Sequence, residues 1–180
     1  MQNADDTVSL FTAEEEGCYT PTHTSMPSDD WELPSYSRLN TVGMCPWKDT
    51  TYIIRNAETD LVISLNDGDL ILSPQEKGHY CHWHCVENSE GWFGFRNVAA
   101  GRYIGHNNNR RNWRFVVEGR QHREWEYFCA RQHPSGGHIL LVKHWNGFQP
   151  MTVGGPDNTE LVVGERDVDP ARWEFIKIES

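Results

Sequence analysis

Residues from about 50 to 180 predict an all-β fold, a β-trefoil of three pseudo-repeats and about twelve strands, on two observations. A strand-rich unit recurs about every 40 residues, and short alternating runs are separated by clusters of turn-forming residues. The units open with Tyr52-Ile-Ile-Arg-Asn56, Phe93-Gly-Phe-Arg-Asn97 and Ile139-Leu-Leu-Val-Lys143. They close with Cys81-His-Trp-His-Cys85, Arg123-Glu-Trp-Glu-Tyr127 and Ala171-Arg-Trp-Glu-Phe175. Repeats of about 52–92, 93–138 and 139–178 follow.

Second strands are expected at Leu61–Leu65, Arg102–His106 and Gln149–Val153. Third strands are expected at Leu70–Leu72, Trp113–Val117 and Leu161–Val163. Turns fall at Asn66-Asp-Gly68, Asn107-Asn-Asn109 and Gly154-Gly-Pro156. A four-bladed propeller would need a fourth unit, and a sandwich has no need of threefold repetition. In a trefoil one closing-strand aromatic per unit gathers about the axis, so Trp83, Trp125 and Trp173 are assigned to the core.

Residues 1–47 have a different character. Eight acids (Asp5, Asp6, Glu14, Glu15, Glu16, Asp29, Asp30, Glu32) face Arg38 alone, in a segment rich in Ser, Thr and Pro without helical or strand period. This predicts an extended acidic N-terminal tail before a trefoil domain at 48–180. Within it Trp31, Leu33, Tyr36, Leu39 and Trp47 are expected to lie along the domain. The start MQNADDTVSLFTAEEEG has neither the basic head nor the apolar stretch of a signal peptide, and no run of about 18 apolar residues occurs, so a cytoplasmic protein with no membrane partner is expected. Five unevenly spaced cysteines (Cys18, Cys45, Cys81, Cys85, Cys129) fit free thiols in that setting.

The repeats, and Gly101-Arg-Tyr-Ile-Gly105 after Phe95-Arg-Asn97 in particular, resemble the fascin-type (actin-crosslinking-like) trefoils. The closing tryptophans resemble ricin-B-type lectin trefoils, and the chain as a whole is similar to single-trefoil proteins of filamentous fungi. The resemblance implies the fold and a binding role. It departs from the lectin pattern where that family places Gln two residues before each Trp, since Cys81, Arg123 and Ala171 stand there. It departs from fascin in offering one trefoil where crosslinking uses several, so actin is not expected as a partner.

Three local constellations bear on function. In Cys81-His-Trp-His-Cys85, strand alternation puts the cysteines on one face and His82 and His84 on the other. The two sulfurs then stand about 13 Å apart along an extended chain, too far to share a zinc or a disulfide. They are expected as buried small hydrophobes, with no cofactor. His82 and His84 form at most a His-x-His pair needing a third ligand such as His79 or Glu87.

The second constellation lies in residues 93–138, where eight arginines face three glutamates. Its focus is His106-Asn-Asn-Asn-Arg-Arg-Asn112 followed by Trp113. Asn107, Asn109, Arg110, Arg111 and Trp113, with Trp145, are the candidate ligand-binding residues: amides for hydrogen bonds, guanidiniums for bidentate anion contacts and indoles for stacking. Nucleic acid is disfavoured, because the net charge is −10 and the basic residues do not continue beyond one repeat.

The third is the histidine-rich junction Arg131-Gln-His133-Pro-Ser-Gly-Gly-His138, with Lys143-His144-Trp145-Asn146. His133, His138 and His144 are its acid–base candidates. No nucleophile elbow, phosphate loop, dinucleotide fingerprint or zinc-protease helix occurs. Two functions are compatible with these residues. One is a non-catalytic recognition module for a small polar or anionic ligand, a glycan or a protein. The other is a cofactor-free cyclase or isomerase with a Trp/His-lined pocket.

Overall fold

The computed structural model describes residues 44–75, 78–164 and 169–179. The tail expectations for Trp31, Leu33, Tyr36 and Leu39 lie outside them. Trp47 is inside and is 69% exposed, so its ring is not laid down on the domain.

The described residues form twelve antiparallel strands: β1 (Thr50–Asn56), β2 (Val62–Asn66), β3 (Asp69–Ser73), β4 (Trp83–Glu87), β5 (Phe93–Asn97), β6 (Tyr103–His106), β7 (Phe115–Gly119), β8 (Phe128–Gln132), β9 (His138–His144), β10 (Gly147–Gly154), β11 (Glu160–Val163) and β12 (Trp173–Lys177). The pairings β1–β4, β4–β5, β5–β8, β8–β9, β9–β12 and β12–β1 close a six-stranded ring. The hairpins β2–β3, β6–β7 and β10–β11 cap it, meeting where Ile71 pairs with Glu160 and Arg114 with Val162. A closed ring with a triplet of hairpins is the β-trefoil expected from the repeats, and closure removes the exposed edges an open sheet would present. The core runs through Ile54, Trp83, Phe95, Ile104, Phe128, Leu140, Met151, Trp173 and Phe175.

Register fixes which residues are equivalent. The first residue of each closing strand pairs with a residue of its own unit's opening strand: Tyr52 with Trp83, Phe93 with Phe128, and His138 with Trp173. The third unit's opening strand therefore begins at His138, one residue before Ile139.

The second unit's closing aromatic is Phe128, and the assignment of Trp125 to the core is corrected. Trp83, Phe128 and Trp173 are all fully buried, whereas Trp125 is 49% exposed. The cause is local. A 3-10 turn, Glu124–Glu126, precedes β8 and carries Trp125 outward, while the Glu126 side chain turns in and accepts the Arg123 N–H at 3.1 Å. That carboxylate seats against Gly105 and Gly119, where a Cβ would stand 3.1 Å and 2.6 Å from Glu126 Oε1. The buried indoles of the other units donate Nε1–H to second-strand carbonyls, Trp83 to Ile63 at 2.8 Å and Trp173 to Met151 at 3.2 Å. Phe128 has no such donor and packs edge-on against Phe95, with centroids 5.7 Å apart.

Cys81 and Cys85 are buried, as their strand pattern suggested, and desolvation pushes the Cys85 thiol up to about 12.

Candidate functional site

The three units also differ where the opening strand leads into the second strand. Asn56 Oδ1 accepts the N–H groups of Glu58 and Thr59, and Asn97 Oδ1 accepts those of Ala99 and Ala100, so each ends its strand in a side-chain-capped turn. The register-equivalent residue in the third unit is Val142, which has no acceptor to offer. There β9 runs on to His144 and returns through a two-residue hairpin, with His144 paired to Gly147. Trp145 sits at its tip with φ 52° and 71% of its surface exposed. A bulky L-residue in the left-handed region costs about 1–2 kcal/mol, and strain of this kind concentrates at functional sites.

Three elements meet at this hairpin: the end of β6 with the loop after it, the 3-10 turn carrying Trp125, and the β9–β10 tip. His106 closes β6 at 1% exposure, its Nδ1 accepting the Asn108 N–H at 3.1 Å. His144 Nε2 donates to Asn108 Oδ1 at 3.3 Å, and its ring lies 4.5 Å from Trp113 and 5.1 Å from His106. His106 in turn lies 5.6 Å from Trp125. Lys143 Nζ bonds Glu124 Oε1 at 3.0 Å and stands 5.9 Å and 5.7 Å from the rings of Trp92 and Tyr127. Trp92 stacks on Tyr127 and meets the exposed Phe148 at 5.4 Å. An aromatic surface thus spans the junction of the second and third units, with the Lys143–Glu124 pair in its midst.

Two open concavities of about 380 and 440 Å³ lie here. One is lined by His106, Asn108, Glu124, Trp125 and Lys143, the other by Arg110, Trp113 and Gln149. His144, Trp145 and Asn146 line both. Burial, with His144 nearby, pushes His106 down to about 4, against a partial lift from the Lys143 backbone and Glu124. Burial, with Arg110 nearby, also lowers His144. Both imidazoles are neutral near pH 7, so they act through hydrogen bonds and ring faces rather than as cations.

The sequence candidates divide accordingly. Trp113, Arg110, His144 and Trp145 are brought together. Asn107 is spent on its own loop: Oδ1 accepts the Asn109 and Arg114 N–H groups, and Nδ2 donates to the Asn112 carbonyl at 2.7 Å. Asn109 Oδ1 accepts the Arg111 N–H at 3.2 Å, and the exposed Arg111 lines neither concavity. These residues shape the loop, and the amide of this loop that lines a concavity is Asn108.

His133 and His138 do not join His144. His133 Nδ1 accepts the Ser135 N–H in the turn at Gly136 and Gly137, and His138 is buried against Phe175. His82 and His84 face different partners, His79 at 3.1 Å and Thr51 Oγ1 at 3.3 Å. Among the described residues no three His, Cys, Asp or Glu side chains stand together as a metal site. His106, Asn108, Glu124 and Trp125 were missed as site residues. The available signal was that His106 and His144 both end strand runs and are each followed by a turn segment carrying a tryptophan.

No protein-family model matches the sequence, and no curated protein is similar to it in sequence. Solved structures are similar in fold. A designed threefold-symmetric protein, ThreeFoil, superposes with a TM-score of 0.61 at 10% identity, covering 71% of this chain and 99% of its own. The ricin B-like lectin of Macrolepiota procera, in complex with lactose, gives 0.59 at 14% identity over 74% of this chain and 98% of its own. SeviL, bound to the asialo-GM1 saccharide, gives 0.57 at 13% identity over 74% and 99%. The likeness is one of β-trefoil fold.

Proposed function

We propose that this chain is a non-catalytic carbohydrate-binding module whose site is the aromatic junction between its second and third units. The observation that carries the reading is Trp145. It is exposed at the tip of a tight hairpin, in a backbone conformation that favours glycine, between two concavities edged by Asn108, Asn146, Lys143 and Glu124. An indole face offers flat apolar surface to the C–H face of a pyranose, and flanking amides, ammonium and carboxylate suit its hydroxyls. Fold neighbours solved with lactose and with the asialo-GM1 saccharide support this reading.

The test is Trp145→Gly. Glycine adopts the observed φ without steric cost, so unfolding stability should stay within about 1 kcal/mol of the parent. Affinity for the saccharides that a glycan array selects should fall by about tenfold or more in calorimetric titration, or about 1.4 kcal/mol. Undiminished affinity in the folded variant would remove the junction as the site.

A further inference from the structure

Two N–H groups at the centre of this site are buried without a well-formed hydrogen bond among the described residues. His106 Nδ1 accepts the Asn108 N–H, so the neutral ring carries its proton on Nε2. That Nε2 meets the Lys143 backbone only outside hydrogen-bond geometry, and Trp113 Nε1 is buried without a hydrogen-bond partner among the described residues. Buried donors are nearly always satisfied, and two such groups in neighbouring rings, 6.2 Å apart, point to an absent acceptor.

His144 covers both rings and lines both concavities. Its side chain is held by a long 3.3 Å hydrogen bond and adjoins the strained Trp145. Turning this ring aside opens the two donors. The charges around it match an anion. Arg110 lines one concavity and Lys143 the other, while Glu124, the carboxylate beside Lys143, is already bonded to it.

We propose that the saccharide taken by this site carries a carboxylate, which enters between His106 and Trp113 as His144 swings aside, accepts their two N–H groups and draws its countercharge from Arg110. This rests on the saccharide-binding reading above. A carboxylate has two in-plane oxygens and four lone-pair directions, enough for both neutral donors and a guanidinium at once. A sugar hydroxyl brings no charge to Arg110 and satisfies both donors less well.

The experiment is calorimetric titration of the whole chain with matched pairs: lactose against 3′-sialyllactose, and methyl glucoside against methyl glucuronide. The acidic member of at least one pair should bind about tenfold more tightly, about 1.4 kcal/mol, and its methyl ester should lose the advantage. Trp113→Phe, which keeps a ring but deletes the N–H, and Arg110→Gln should each bring the acid-to-neutral ratio toward one. In the parent protein the Trp113 indole N–H resonance should move downfield with the acid and not with its neutral partner.

Equal affinities within both pairs would overturn the carboxylate and leave the saccharide reading standing. An acid preference untouched by Arg110→Gln, with an unmoved indole resonance, would overturn its placement at these donors. Absence of binding by every pair and by a broad glycan array would overturn both. Arg110 is exposed, so its variant and the parent spectrum decide the matter even should Trp113→Phe fail to fold.

Discussion

Phe128→Ala is expected to destabilise the fold by about 3–5 kcal/mol, while Trp125→Ala, the larger deletion, costs less than about 1 kcal/mol. Phe128 has no exposed surface and touches Phe95 and Phe115, so truncation leaves a cavity in the centre of the ring. Trp125 is half in water and rests on His106 with one face. Urea unfolding of the two variants separates the roles. A Trp125→Ala protein as unstable as Phe128→Ala would restore Trp125 to the core. In titration Trp125→Ala should nevertheless weaken saccharide binding, because its ring walls one concavity.

Acid should weaken the protein through His106. An unfolded imidazole titrates near 6.5, whereas burial holds the folded ring at about 4. Between those values the unfolded chain binds the proton and the folded chain does not. The stability contributed by the neutral ring is complete above about pH 6.5, is lost as pH falls toward about 4, and declines no further below that. The loss is about 3 kcal/mol at 1.36 kcal/mol per pH unit. His106→Asn is the matched control, since its Oδ1 stands where Nδ1 accepts the Asn108 N–H but does not titrate. Other groups, including the buried Glu126 and His138, are common to both proteins and cancel in the difference. Stability measured from pH 7 to pH 4 should fall more steeply for the parent than for the variant. Parallel curves would mean that His106 takes up its proton in the folded state as readily as in the unfolded one.

The fold was legible because period-two runs and turn clusters repeat, and both follow from local chemistry. The error over Trp125 came from matching residue type rather than interval. Trp83, Phe128 and Trp173 are evenly spaced, but Phe128 looks unlike its counterparts, and a nearby tryptophan took its place. Only register, set by pairing across distant segments, reveals the 3-10 turn that displaces it. The site was half legible for the same reason. The 107–113 loop and the Lys143–Asn146 segment each stood out by composition, but their meeting at His144 depends on how one unit's cap hairpin lies beside the next unit's opening strand. His106 was hidden because it ends a strand run as an inward position, where a histidine reads as filling. The loop-holding hydrogen bonds of Asn107 and Asn109 were hidden because composition cannot tell an amide that faces outward from one that holds a turn.

The ring closes by pairing its first strand with its last, Tyr52 against Lys177 and Asn56 against Trp173. That contact joins residues more than 100 positions apart, so during synthesis β1 has one side without its partner until β12 has emerged. Until then that side of β1 is a free edge, open to the β12 of a second copy of the chain. Slowing translation just upstream of residue 173 should raise the yield of swapped dimers without altering the stability of the finished monomer.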